Sequence, residues 1–86
     1  MMPNDELQKI LLDAYIKDYP ETTVKVTGDG RHFAITVVSE MFTNLKKLPR
    51  QQKINQVINK YINDGVVHAV VLNLFTPEEQ NNNKIR

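Results

Sequence analysis

Two histidines, His32 and His68, and one serine, Ser39, are the side chains of this 86-residue chain best suited to ligation or nucleophilic chemistry, because it contains no cysteine. The missing thiols remove a cysteine nucleophile, a disulfide framework and a zinc finger. Ser39 lies at the far end of a predicted strand from His32, with no elbow glycines around it, which argues against a serine hydrolase. Apart from the neighbours Asp5-Glu6 and Glu78-Glu79, carboxylates are scattered singly. The neighbours Glu78 and Glu79 are accounted for by the start of a helix, where the dipole favours negative charge. Gly28 and Gly30 match a hairpin far better than a phosphate-cradling loop. The inventory predicts a protein that is not an enzyme.

What remains is ligation by imidazole. Two imidazoles cannot close a tetrahedral site, so a metal held here needs further ligands from another molecule. An iron–sulfur cluster would need a partner's cysteine, and mixed His/Cys ligation has precedent in [2Fe–2S] centres. Only neutral imidazole coordinates, so such binding weakens as the pH falls through the imidazole range. Each ring also has a plainer reading. His68 shares a strand face with Val70, Leu72 and Leu74, which suits a half-buried ring hydrogen-bonded to backbone. His32 follows a hairpin, which suits an exposed loop-edge residue.

The elements that position these groups follow from periodicity and turn chemistry. Asn4 or Asp5 caps a first helix, in which Leu7, Ile10, Leu11 and Ala14 form an apolar stripe. Pro20 closes it by disfavouring helical geometry at Tyr19. Thr22 to Val26 alternates as a strand, Gly28-Asp29-Gly30 turns the chain, and His32 to Ser39 returns with Phe33, Ile35 and Val37 on one face. Phe42 to Leu48 is a connector. Pro49 then fits the first position of a longer helix carrying Ile54, Val57, Ile58, Tyr61 and Ile62, with Gly65 as its left-handed cap. The apolar run Val66 to Phe75 reads as a strand covered on both faces, hence central in the sheet. Thr76-Pro77-Glu78-Glu79 opens a short, threonine-capped helix, and residues 81–86 are expected to form a polar, flexible tail. The order α-β-β-α-β-α predicts a single α+β domain over residues 4–80, with a three-stranded mixed sheet packed by helices.

Composition agrees with one small core: 41% of residues are hydrophobic and 24% charged, close to the globular average. No apolar run approaches the roughly 18 residues of a membrane span. The N-terminal residues lack the basic and apolar regions of a secretory signal, so the expected compartment is the cytoplasm. A net charge of +1 hides a local bias, since no acid occurs between Met41 and Asn63 while Lys46, Lys47, Arg50, Lys53 and Lys60 fall there. This segment is a solvated helix face, a surface for an acidic patch on a partner, or a weak nucleic-acid site that uses Lys46, Lys47, Arg50 and Lys53. Against nucleic acid stands the lack of a Gly-x-x-Gly clamp, the three glycines being at 28, 30 and 65.

Gly28-Asp29-Gly30-Arg31-His32-Phe33, Val37-Val38-Ser39-Glu40-Met41-Phe42, Val67-His68-Ala69-Val70 and Thr76-Pro77-Glu78-Glu79, in that order and spacing, resemble the BolA family. The resemblance is closest to its short bacterial IbaG (YrbA-like) branch and covers residues 5 to 80. Gln80 stands where the family carries a tryptophan. The resemblance implies a fold similar to the class II KH domain. It also implies a heterodimer with a cytosolic monothiol glutaredoxin, sharing a bridging [2Fe–2S] cluster in iron–sulfur cluster trafficking or iron and stress regulation. In such complexes the glutaredoxin contributes a cysteine and bound glutathione its thiol. The BolA-like protein contributes the histidine of its His-Ala motif, which falls on His68. The fourth ligand comes from the loop between the first two strands, where His32 is the nearest candidate, with Asp29 or a non-protein ligand as the alternative. The competing reading is a KH-like nucleic-acid-binding transcriptional regulator.

Overall fold

The computed structural model describes the backbone of residues 2–85 and the side chains of residues 2–82. Its elements are α1 (Asn4–Tyr15), β1 (Thr23–Gly28), β2 (His32–Val38), a 3-10 turn (Glu40–Phe42), α2 (Lys47–Asn63), β3 (Ala69–Phe75) and α3 (Pro77–Ile85). β2 pairs antiparallel with β1 and parallel with β3, giving the expected mixed sheet. The parallel pair needs a crossover, and α2 supplies it. Leu7 and Leu11 of α1 and Ile54 and Ile58 of α2 pack with Val26, Phe33, Ile35, Val37 and Phe42 in one core. Each such buried side chain stabilises the fold by roughly 1.5–3 kcal/mol. The other face of the sheet, with Lys25, Val71 and Asn73, is exposed, so the domain has two layers.

The central strand is β2, not β3. Val71 is 62% exposed, which corrects the expectation that the run Val66–Phe75 is covered on both faces. Val70, Leu72 and Leu74 are only half-buried against the helices, as suits an edge strand. In α1, Pro3 takes the cap position in place of Asn4 or Asp5, its carbonyl accepting from the Glu6 and Leu7 amides. The Asn4 side-chain amide instead donates to the Gly28 carbonyl at 3.3 Å. α1 ends at Tyr15, ahead of Tyr19, and Ala14 is exposed; Tyr15 packs on the core and donates its hydroxyl to the Lys53 carbonyl.

Lys46 caps α2, so Pro49 is its third residue, where an N–H would still be unpaired. The helix closes as expected at Gly65, φ 78°, with Gly65 N–H on the Ile62 carbonyl and Val66 N–H on the Tyr61 carbonyl, the paired bonds of a Schellman cap. α3 starts with a reciprocal box: Thr76 Oγ1 accepts from the Glu79 amide at 3.2 Å and Glu79 Oε1 accepts from the Thr76 amide at 3.0 Å. So nucleated, the helix continues to Ile85, across most of the segment expected to be a tail; residue 86 lies outside the described residues.

Candidate functional site

β2 begins at His32 and β3 at Ala69, and the parallel register sets these two residues side by side. His32 and His68, remote in the chain, therefore emerge at one end of the sheet. The backbone there is tied through the hairpin. Asp29 Oδ1 accepts from the Arg31 and His32 amides at 3.0 and 2.8 Å. The Arg31 carbonyl in turn accepts from the His68 and Ala69 amides at 2.9 and 3.3 Å. Gly28, at φ 154°, is required here because a Cβ would collide with the His32 carbonyl.

The two rings meet edge to face, with centroids 6.4 Å apart and planes at 68°. The His32 side chain is 64% exposed. His68 is exposed as well, which corrects the half-buried structural reading: Val67 beside it is buried and anchors the strand entry, leaving the imidazole outside the core. Asp29 Oδ2 lies 3.3 Å from His32 Nδ1. The His32 and Arg31 amides and then the His32 ring hold the Asp29 carboxyl down at about 2, so it is ionised with both oxygens engaged. Among the described residues no three His, Cys, Asp or Glu side chains are arranged to hold a metal ion. The arrangement thus offers two imidazoles at an open surface and leaves any further ligands to be supplied from outside.

The other sequence candidates do not gather here. Ser39 is fully buried, its hydroxyl 2.8 Å from Thr22 Oγ1 and accepting from the Met41 amide, so it serves the fold. Arg50 is 14% exposed and held in a bidentate pair with Glu79, so its guanidinium is not free to dock a ligand. Lys53 is half-buried on α2. Lys46 and Lys47 are exposed and line a groove of about 570 Å³ between the start of α2, β3 and α3. Sequence reasoning missed the Arg50–Glu79 pair, although the Thr-x-x-Glu spacing of a capping box was a signal that Glu79 faces inward.

The family model described as BolA-like protein matches residues 7–79. Acid stress protein IbaG of Escherichia coli K12 is 35% identical over 78 residues, 91% of this chain and 88% of the relative. The DNA-binding transcriptional regulator BolA of Haemophilus influenzae is 44% identical over 52 residues, 60% of this chain and 50% of the relative. Among solved structures, a BolA homologue from Coxiella burnetii shares the fold with a TM-score of 0.77 at 22% identity, over 94% of this chain and 99% of that one. The class II KH likeness is not borne out by these comparisons. With a family match across nearly the whole domain and a relative of similar length, the chain belongs to the BolA family.

Proposed function

We propose that this protein is a non-catalytic adaptor that pairs with a monothiol glutaredoxin and, with glutathione, holds a bridging [2Fe–2S] cluster through His68 and His32. Its place is in iron–sulfur cluster trafficking or in iron and stress regulation in the cytoplasm. The observation that carries this reading is the convergence of the chain's two imidazoles at one exposed sheet end. With no thiolate in the chain, the donor set fits a cluster whose sulfur ligands come from the partner and glutathione. His68 belongs to the His-Ala motif and is the primary ligand; His32 is the loop ligand. The name of the Escherichia coli relative, an acid stress protein, supports the stress-related role.

The test is a visible absorption and circular dichroism titration into glutaredoxin that carries the cluster, with wild type beside His68→Ala and His32→Ala. Wild type is expected to shift the charge-transfer bands, His68→Ala to leave them unmoved, and His32→Ala to give a weaker complex with altered bands. A His68→Ala protein that forms the wild-type complex with an unchanged spectrum removes the assignment.

A second reading, nucleic-acid binding, is favoured by one feature. Lys46 and Lys47 open α2 with no acid in the first turn, adding their charge to the positive end of the helix dipole. The name of the Haemophilus influenzae relative points the same way. Oligonucleotide binding that weakens with salt and is lost in a Lys46→Gln/Lys47→Gln variant would support it; no binding at low salt ends it.

A further inference from the structure

Asp29 does more at the hairpin than a turn requires. One acceptor oxygen suffices to hold the turn, and Oδ1 fills that part with the Arg31 and His32 amides. Oδ2 is left over, and it faces His32 Nδ1 at 3.3 Å. A carboxylate oxygen can only accept, so this contact is a hydrogen bond only when Nδ1 carries a proton. In the neutral ring that leaves the lone pair on Nε2.

We propose that Asp29 is a positioning residue: its Oδ2 holds neutral His32 as the Nδ1–H tautomer and presents Nε2 as the coordinating atom, while Asp29 itself takes no place among the ligands. The proposal rests on His32 being the loop ligand of the shared cluster. Free imidazole in water favours the proton on Nε2, so the carboxylate reverses the default. Outer carboxylates that fix the tautomer and orientation of a ligating histidine are a general device at metal sites. Here one side chain sets the turn, the His32 amide and the His32 ring together. An asparagine would keep an acceptor oxygen for the two amides but offer an N–H to Nδ1, favouring the ring proton on Nε2, so that coordination through Nε2 must first shift the proton back at a cost in affinity while the ligand set stays the same.

The experiment reads the tautomer directly in the protein alone, labelled with 15N-histidine, by long-range proton–nitrogen correlation at about pH 8.5, above the imidazole range. Wild-type His32 is expected mainly as Nδ1–H and Asp29→Asn mainly as Nε2–H, with the hairpin amide signals retained and His68 unchanged. A wild-type His32 found mainly as Nε2–H, or an Asp29→Asn protein with the wild-type tautomer, reduces Asp29 to a turn residue and overturns the proposal. In a second arm, Asp29→Asn is titrated into cluster-loaded glutaredoxin, with an expected weakening of roughly 10–100-fold and unaltered bands. Altered bands would make Asp29 a ligand and overturn it as well. If wild type itself never perturbs the cluster, the shared-cluster reading fails while the tautomer result stands on its own.

Discussion

Where β2 and β3 finish, Arg50 gives its donors to the protein: Nε to the Leu45 carbonyl at 2.8 Å, Nη1 to the Leu74 carbonyl at 3.2 Å and to Glu79, and Nη2 to Glu79 at 3.0 Å, with the guanidinium 5.7 Å over the Phe42 ring. Where the same strands begin, about 20 Å away along six residues of strand, two imidazoles stand exposed against each other. Both ends are rich in groups that bind ligands in other proteins. At the Arg50 end the polar atoms are satisfied internally, and the cluster ties α2, β3 and α3 together. At the histidine end the hairpin satisfies the backbone and leaves the rings available. Charge or residue type alone does not separate a lock from a site; the difference lies in whether the polar atoms already have partners.

Reciprocal variants should break the comparison most sharply. His68→Ala is expected to weaken the glutaredoxin complex by more than about 100-fold, beyond the loss typical of an outer-shell partner. As an exposed position it should change stability by no more than about 0.5 kcal/mol in urea unfolding. Arg50→Ala is expected to do the opposite, costing about 1–2 kcal/mol chiefly by leaving the Leu45 and Leu74 carbonyls without their donor, the half-exposed Glu79 carboxylate being rehydrated, with the complex intact. A His68→Ala protein that unfolds easily, or an Arg50→Ala protein of normal stability, would mean that the two ends have been assigned the wrong way round.

Acid should act on the two ends in different ways. The Arg50 guanidinium, then the Thr76 amide, lowers the Glu79 carboxyl from 4.5 to about 2. A carboxyl depressed in the folded state stabilises fully above its unfolded value and loses that contribution as the pH falls through its folded value. The lock is therefore expected to hold at mildly acidic pH and weaken between about 4.5 and 2. Glu79→Gln, less stable by about 1 kcal/mol at neutral pH, should lack that part of the acid dependence in urea midpoints measured stepwise in pH. At the histidine end acid should weaken the complex while the domain stays folded, because a protonated imidazole cannot coordinate. The smallest effect belongs to Lys46→Gln/Lys47→Gln: removing two cations from a helix start should leave stability unchanged or raise it by about 0.3–1 kcal/mol at low salt.

Most of the fold was legible in local patterns. The stripes of α1 and α2, the Gly28-Asp29-Gly30 turn and the Gly65 cap each depend on a few neighbouring residues. The edge position of β3 was not, because a β-branched apolar run looks the same whether its outer face is open or covered. The Arg50–Glu79 pair was hidden for a related reason: it joins the starts of two helices, and no periodicity records such a contact. Both histidines were identified by type and motif, whereas their meeting depends on the parallel register that sets His32 beside Ala69. Asp29 was legible as turn chemistry, but its contact with the His32 ring was visible only in three dimensions.

The central claim, that the open imidazole pair completes a cluster shared with a glutaredoxin, is tested most directly by visible circular dichroism. Wild-type protein is added to glutaredoxin carrying the [2Fe–2S] cluster and glutathione. The bands should shift and saturate at one equivalent, as thiolate ligation gives way to mixed imidazole and thiolate ligation. A spectrum unchanged through excess protein would contradict the claim.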